Sequence, residues 1–164
     1  SVRCVTVRHS EGIAMLPHVN ISKQFSGPYE AFAVFDAKVK EATQAAGLSA
    51  LLVELVKLRV SQINGCAFCL RMHTRDAIAA GETADRLAVL PAWWESQYFD
   101  EPERAALTLA ERVTRIADEH TAATPAVDVE SALSTQQIAA VVWLAVEMNG
   151  WNRIAIASHY PVGP

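Results

Sequence analysis

The chain lacks both the long apolar runs of a membrane protein and the basic excess of a nucleic-acid-binding protein. Its 164 residues carry a formal net charge of −4, from 14 Lys and Arg against 18 Asp and Glu. A bilayer-spanning helix needs roughly 18 or more apolar residues, whereas the longest apolar run here, Ile138 to Val146, stops at Glu147. Without a basic patch, nucleic-acid binding is also disfavoured. We therefore expect no membrane and no nucleic-acid partner.

Cysteine is scarce, and this excludes a disulfide-stapled scaffold. The chain has three cysteines, at positions 4, 66 and 69, too few for such a framework. No charged segment followed by an apolar one stands at the start, so we expect no secretory leader and a cytoplasmic location. Thiols there are usually reduced, so a close pair is more typical of redox or metal chemistry than of a structural cross-link. Cys4 stands alone and is interpreted as a bystander.

Strand patterns are also nearly missing, while helical patterns cover most of the chain. Only residues 2–9 alternate in the manner of a strand, and Gly and Pro punctuate the rest. We predict an all-α fold, a compact bundle of about six to eight helices, forming a single domain over residues 1–164 with an extended N-terminal arm over 1–24. The predicted helices cover residues 28–46, 50–64, 66–81, 82–89, 100–120 and 134–157.

The segment NGCAFCLRMH, residues 64–73, carries the strongest chemical signal. Cys66, Cys69 and His73 are spaced by three and four residues, so a helix places them on one face. The unpaired amides at a helix start stabilise a thiolate and lower the pKa of the thiol, which makes Cys66 the more acidic cysteine by this argument. The spacing also permits a disulfide, and the imidazole can accept or return a proton. The pattern predicts an acid/base group beside a redox-capable dithiol.

Glu54 interrupts the preceding helix, which is otherwise apolar nearly all round and is predicted to be buried. A buried carboxylate requires a partner. One placement is an exposed stripe on which Glu54 pairs with Lys57. The other faces the dithiol, near His73, because the tight turn at Asn64-Gly65 folds the two helices against each other. The sequence does not choose between these placements.

Two other interpretations of the motif remain open. Cys66, Cys69 and His73, with Glu54 as the fourth ligand, have the chemistry of a zinc site, although no second ligand pair follows from a separate segment. Alternatively, the cysteines are small buried side chains beside a core histidine. The remaining histidines, His9, His18, His120 and His159, are expected to be structural. Four aromatic residues have two alternatives, lining a substrate pocket or lying at an oligomer interface, and we expect the interface: Trp93, Trp94, Tyr98 and Phe99.

The motif resembles the alkylhydroperoxidase D-like, carboxymuconolactone decarboxylase superfamily. The family pattern is a glutamate, an eleven-residue gap and then C-x-x-C-x-x-x-H, and Glu54 with the segment SQINGCAFCLRMH matches it. The closing MNGWNRIAIAS, residues 148–158, resembles the family's last helix, so the resemblance covers roughly residues 25–158. It implies an all-helical protein that assembles as a trimer or hexamer and acts as a cofactor-free thiol peroxidase on small hydroperoxides.

The resemblance also implies a role for each site residue. Cys69 attacks the peroxide, Cys66 resolves the sulfenic acid into a disulfide, and Glu54 and His73 relay a proton to the reactive thiol. This assignment differs from the helix-start argument for Cys66, and we follow the family. No metal and no cofactor are implied. A dithiol donor, such as a lipoylated or thioredoxin-like protein, would reopen the disulfide.

The chain departs from the family pattern at Phe68. The best-studied peroxidase members carry a histidine inside the C-x-x-C, so one member of their proton relay is missing here. The decarboxylase branch lacks the cysteine pair, so Cys66 and Cys69 favour thiol redox chemistry. The predicted function is a thiol-dependent peroxidase. The alternatives are a carboxymuconolactone decarboxylase-like enzyme and a non-enzymatic zinc or redox-sensing oligomer.

Overall fold

Helices account for the architecture of the computed structural model, which describes residues 19–118 and 127–164. No strand occurs in these two stretches, and the prediction of an all-α fold with six to eight helices is confirmed. None of the described helices combines the length and the hydropathy needed to cross a bilayer. The α-helices are α1 Ile21–Gln24, α2 Ser26–Ala45, α3 Ala50–Asn64, α4 Ala67–Ala79, α5 Ala84–Val89, α6 Glu101–Thr114, α7 Val129–Ala132 and α8 Thr135–Ala157, with 3-10 turns at Leu90–Glu95 and Ile116–Asp118.

Side-chain caps set the helix starts where the sequence predicts them. The Ser49 hydroxyl accepts the Leu52 N–H at the start of α3. Capping boxes begin α6, through Asp100, and α8, through Ser134. Each cap satisfies an amide that has no partner inside the helix.

Two predicted boundaries differ from the structure. The helix predicted over 100–120 ends at Thr114, because Arg115 leaves the helical backbone conformation, and His120 lies outside the described residues. The prediction of an extended arm over 1–24 is wrong for residues 21–24. Residues Ile21–Gln24 form one helical turn, because the Asn20 side chain accepts the Lys23 N–H. Residues 1–18, with Cys4, His9 and His18, lie outside the described part of the chain.

Helix α3 forms the centre of the bundle and packs against α4, α6 and α8. Its side chains Leu55, Val56 and Val60 are fully buried, which confirms the expectation of a buried helix. Helix α8 runs along the other side of the core and is similarly apolar on its inner face, where Val141 and Leu144 are buried. The cysteine motif therefore starts at the end of a buried helix.

The structure places two of the aromatic residues expected at an interface inside the core. Trp93 and Phe99 are buried with Leu55 and Leu107, so the interface prediction is wrong for these two, whereas Trp94 and Tyr98 remain partly exposed. Burial of Trp93 is possible because its Nε1–H donates to Glu111 Oε1 at 2.8 Å. A buried indole N–H needs such a partner.

Helix α2 lies against α8 at a glycine. Gly150 has no side chain, and a Cβ there would overlap the ring of Phe32. The Phe32 ring occupies this space and packs edge-on against Trp151, with 4.8 Å between the ring centroids. This close approach brings Asp36 of α2 against the α8 surface beside Trp151.

A buried ion pair joins α3 to α6. Arg59 Nε donates to Glu111 Oε1 at 2.7 Å, and both side chains are almost inaccessible to solvent. The same oxygen accepts the Trp93 N–H. Removing one partner from a buried pair leaves a buried charge without compensation, which is strongly destabilising.

Replacing Glu111 by Ala is expected to lower the free energy of unfolding by about 3–5 kcal/mol, since Arg59 stays buried without its partner. Urea unfolding at pH 7 measures the change. The matched control is E41A, whose ion pair with Lys38 is exposed (66% for Lys38 and 63% for Glu41) and should contribute less than about 1 kcal/mol. Equal losses in the two variants would contradict the prediction.

Candidate active site

The turn between α3 and α4 positions the two cysteines. Gly65 adopts a left-handed conformation, with φ of 68°, which glycine reaches without steric cost. Cys66 is then the N-cap of α4, and its Sγ accepts the Cys69 N–H at 3.3 Å. Cys69, His73 and Ala77 form the buried face of α4. The predicted common face of the dithiol and the imidazole is therefore present.

Asparagine side chains tie this turn to α8. Asn64 Nδ2 donates to Asn149 Oδ1 at 3.0 Å and to Asn152 Oδ1 at 2.9 Å. Asn152 Nδ2 in turn donates to the Ser61 hydroxyl at 3.0 Å. The NGWN part of the closing segment thus holds the residue two positions before Cys66.

Cys66 and Cys69 are joined by a disulfide, with 5.4 Å between their Cα atoms, inside the usual range for such bonds. Both residues are buried, at 1% and 2% exposure. Their surroundings differ, because Cys69 lines a cavity of about 460 Å³ and Cys66 is absent from its lining. A small molecule in the cavity would meet Cys69 first.

The structure resolves the two placements left open for Glu54. Glu54 Oε2 lies 2.8 Å from His73 Nδ1, so the carboxylate of α3 faces the imidazole of α4. Asp76 Oδ2 lies 3.9 Å from the same nitrogen and is mostly exposed. Asp76 was missed in the sequence, although its position three residues after His73 on α4 was a usable signal.

The same three side chains form a group that could hold a cation. Ligand atoms of Glu54, His73 and Asp76 all lie within 4.8 Å of one another. The zinc set considered from the sequence, with Cys66 and Cys69 as ligands, is not assembled in this form, because both sulfurs belong to the disulfide. Thiolates, not disulfide sulfurs, bind zinc.

The cavity beside Cys69 has an apolar wall and a polar wall. The apolar wall includes Phe68, Met72, Met148 and Tyr160. Phe68 packs edge-on against Tyr160, with 5.1 Å between the ring centroids, so the aromatic residue inside C-x-x-C serves as part of the wall. The polar wall consists of charged or titratable side chains from α2, α3, α4 and α8: Asp36, Lys57, His73, Asp76 and Glu147.

Asp36 and Glu147 form a hydrogen-bonded carboxyl pair on this polar wall. Burial and the hydrogen bond to Asp36 raise the pKa of Glu147 to about 8. Burial acts to raise the pKa of Asp36 too, but hydrogen bonds from Glu147 and Trp151 and the charge of Lys57 hold it below its ordinary value. Trp151 Nε1 donates to Asp36 Oδ1 at 3.1 Å. At neutral pH the pair therefore holds one proton, mainly on Glu147.

Sequence reasoning missed Glu147, although a signal was present. Glu147 interrupts the apolar inner side of α8 in the same way that Glu54 interrupts α3. A carboxylate in an apolar stretch needs either a partner or a proton. Glu54 has an imidazole partner, whereas burial and the neighbouring carboxyl group of Asp36 raise the pKa of Glu147.

Comparison with known proteins gives consistent similarities. The model described as the carboxymuconolactone decarboxylase family matches residues 29–112. The uncharacterized protein YdfG of Bacillus subtilis (strain 168) is 39% identical over 115 residues, covering 70% of this chain and 78% of YdfG. A crystal structure from Agrobacterium tumefaciens superposes with a TM-score of 0.77 at 30% identity, covering 89% of this chain and 99% of that one. That protein is of unknown function and has been suggested to be the antioxidant defence protein AhpD.

Thiol titration in denaturant tests the disulfide. In a C4S variant, which leaves Cys66 and Cys69 as the remaining cysteines, the oxidised protein should release no free thiol and the reduced protein two. A C4S/C66S variant should release one thiol with or without prior reduction. Two free thiols in C4S after air oxidation would contradict the prediction.

Proposed function

The chain belongs to the carboxymuconolactone decarboxylase family, and within that family we propose that it is a thiol-dependent peroxidase of the alkyl hydroperoxide reductase type. One observation carries the proposal: a Cys66–Cys69 disulfide whose Cys69 lines a cavity beside the Glu54–His73 pair. Decarboxylation of a lactone requires no dithiol, whereas reduction of a peroxide by two thiols ends in this bond.

The Glu54–His73 contact supports activation of the thiol. A carboxylate 2.8 Å from Nδ1 favours a proton on that nitrogen and leaves Nε2 as the basic atom of the ring. His73 lies one helical turn after Cys69 and lines the same cavity. His73 Nε2 accepts the proton of the Cys69 thiol, and Glu54 stabilises the imidazolium that forms.

The reaction then follows from the chemistry of the two sulfurs. The Cys69 thiolate attacks the terminal oxygen of R–O–O–H, the O–O bond breaks, and the products are Cys69 sulfenic acid and an alkoxide that takes up a proton. The Cys66 thiol attacks the sulfenic sulfur and releases water as the disulfide forms. An external dithiol, such as a lipoylated or thioredoxin-like protein, reduces the disulfide by exchange and is itself oxidised. No cofactor takes part.

The cavity and the surface support two further parts of the proposal. A volume of about 460 Å³ lies within the range of small-molecule sites and suits a small organic hydroperoxide. Exposed apolar side chains on α2 and α8, Val34, Trp143 and Val146, suit contact between copies of the chain in a homo-oligomer, as a trimer or hexamer. The proposal also includes two expectations from the sequence: residues 1–164 form a single domain, and the protein works in the cytoplasm.

Replacing Cys69 by Ser should abolish consumption of tert-butyl hydroperoxide in the presence of a dithiol donor, because no nucleophile remains on the cavity. C66S should complete the first attack and stop at the sulfenic acid, detected by trapping with dimedone. C4S is the matched control and should retain wild-type turnover. Peroxide loss is followed at a fixed dithiol concentration.

Undiminished peroxide turnover in C69S would overturn the proposal. Two further results would favour the other functions considered. Decarboxylation of a small lactone acid that survives loss of both cysteines would indicate the decarboxylase. About one zinc ion per chain in the purified reduced protein would indicate a zinc-binding oligomer.

Replacing Glu54 by Gln keeps the size of the side chain but removes the charge that stabilises the His73 imidazolium. We expect Cys69 oxidation to slow by about 10- to 100-fold. This is at or below the low end of the rate enhancement that acid–base catalysis usually gives. E41Q is the control, since Glu41 lies on the exposed surface. Single-turnover loss of the Cys69 thiol is measured in both variants, and equal rates would count against the relay.

A further inference from the structure

We propose that Glu147 is a further catalytic residue, the acid that donates a proton to the oxygen leaving from the peroxide when Cys69 attacks. The inference rests on the proposed function and assigns a task that Glu54 and His73 leave open. Those two residues take a proton from the thiol, whereas cleavage of the O–O bond also produces an alkoxide, which is far more basic than a carboxylate. A group that supplies a proton to it lowers the barrier of this step.

The position of Glu147 supports this task. Glu147 and Cys69 line the same cavity, although they come from different helices. Glu147 is 2% exposed, and its Oε2 is buried with no hydrogen-bond partner among the described residues. Buried carboxyl oxygens normally have a partner. In this inference the carboxyl group turns so that Oε2, carrying the acidic proton, reaches an oxygen of a molecule bound in the cavity.

The surroundings of Glu147 keep it protonated. The carboxylate of Asp36 is hydrogen-bonded to it, and Trp151 fixes Asp36 from the other side. Two adjacent carboxyl groups cannot both ionise cheaply, so one retains a proton. The pKa of Glu147, raised to about 8 by burial and then by Asp36, agrees with a carboxylic acid that is neutral at pH 7.

Several other groups face this region and enter any pH dependence. The charged and ionisable ones are Asp36 and Lys40 from α2, Glu54 and Lys57 from α3, and His73 and Asp76 from α4. The phenols of Tyr29 and Tyr160 line the same cavity. Lys57 favours the ionised form of Glu147, whereas Asp36 opposes it.

The proton balance of the step is complete. The Cys69 thiolate takes OH from R–O–O–H and is oxidised by two electrons to the sulfenic acid. The alkoxide RO⁻ takes the proton of Glu147 and leaves as ROH, so that the carboxyl becomes a carboxylate. After ROH departs, water enters the cavity, takes from His73 the proton that came from the thiol and returns a proton to Glu147, so that both residues regain their starting states.

The test uses single-turnover oxidation of Cys69 in a C4S/C66S background, where Cys69 is the remaining cysteine. E147Q is nearly isosteric and neutral but has no acidic proton. It should slow the reaction with tert-butyl hydroperoxide by about 100-fold. Peracetic acid releases acetate, which needs no proton donor, so its reaction should change less than about threefold.

The outcomes separate this inference from the proposed function. If E147Q reacts with tert-butyl hydroperoxide as fast as its parent, or is slowed equally with both oxidants, Glu147 is not the acid. If the parent protein itself leaves Cys69 unoxidised, the proposed function fails and this inference fails with it.

A pH profile gives a second readout, which also serves if E147Q does not fold. The rate with tert-butyl hydroperoxide should fall as the pH rises above about 8, as Glu147 loses its proton. D36N removes two causes of the raised pKa and should move this fall to lower pH, whereas K57Q removes an opposing charge and should move it to higher pH. A fall that neither variant moves would overturn the assignment.

Discussion

The tight turn between α3 and α4 is the constraint on which the rest of the site depends. Gly65 joins the end of α3 to the N-cap of α4 in one residue, so the last turn of the buried helix α3 leads directly into Cys66. This places Cys69 three residues into α4 and turns His73 toward Glu54, one helix away. The hydrogen bonds from Asn64 to Asn149 and Asn152 hold the same turn against α8. A longer connection would leave the thiols and the carboxylate free to move apart.

Burial decides the chemistry of each carboxylate around this turn. Glu54, Glu111 and Glu147 are all largely buried, and each has a different partner. An imidazole faces Glu54, a guanidinium faces Glu111, and a second carboxyl group faces Glu147. Since an unpaired buried charge is costly, the partner matters: Glu111 is held in an ion pair with Arg59, whereas burial and Asp36 raise the pKa of Glu147. The side chain opposite each glutamate thus distinguishes the structural ion pair of Glu111 from the two glutamates that we propose act in the reaction.

Local signals in the sequence predicted the helices and the common face of the motif well. The caps at Ser49, Asp100 and Ser134 act within four residues, so the sequence contains the whole interaction. The partners of Glu54, Trp93 and Glu147 could not be predicted in this way, because each lies on another element. Whether Glu54 faces His73 or Lys57 depends on how α3 and α4 cross, and the burial of Trp93 depends on an acceptor eighteen residues later in the chain. The spacing of residues along one helix predicts neither the crossing of α3 and α4 nor the acceptor for Trp93.

The helix start favours Cys66 as the more acidic thiol, whereas the family resemblance makes Cys69 the attacking one. The two arguments agree when acidity and access are treated separately. Cys66, as the N-cap that accepts an amide hydrogen bond, has the position that stabilises a thiolate, and Cys69 has the position on the cavity. Attack on a peroxide requires access, which favours Cys69. Reopening of the disulfide by a donor requires a good leaving group, and the sulfur with the more stable thiolate leaves faster. A donor that attacks Cys69 from the cavity side expels Cys66. In the proposed cycle the helix start therefore assists reduction of the disulfide, because it stabilises the Cys66 thiolate, and the cavity assists oxidation, because it gives the peroxide access to Cys69.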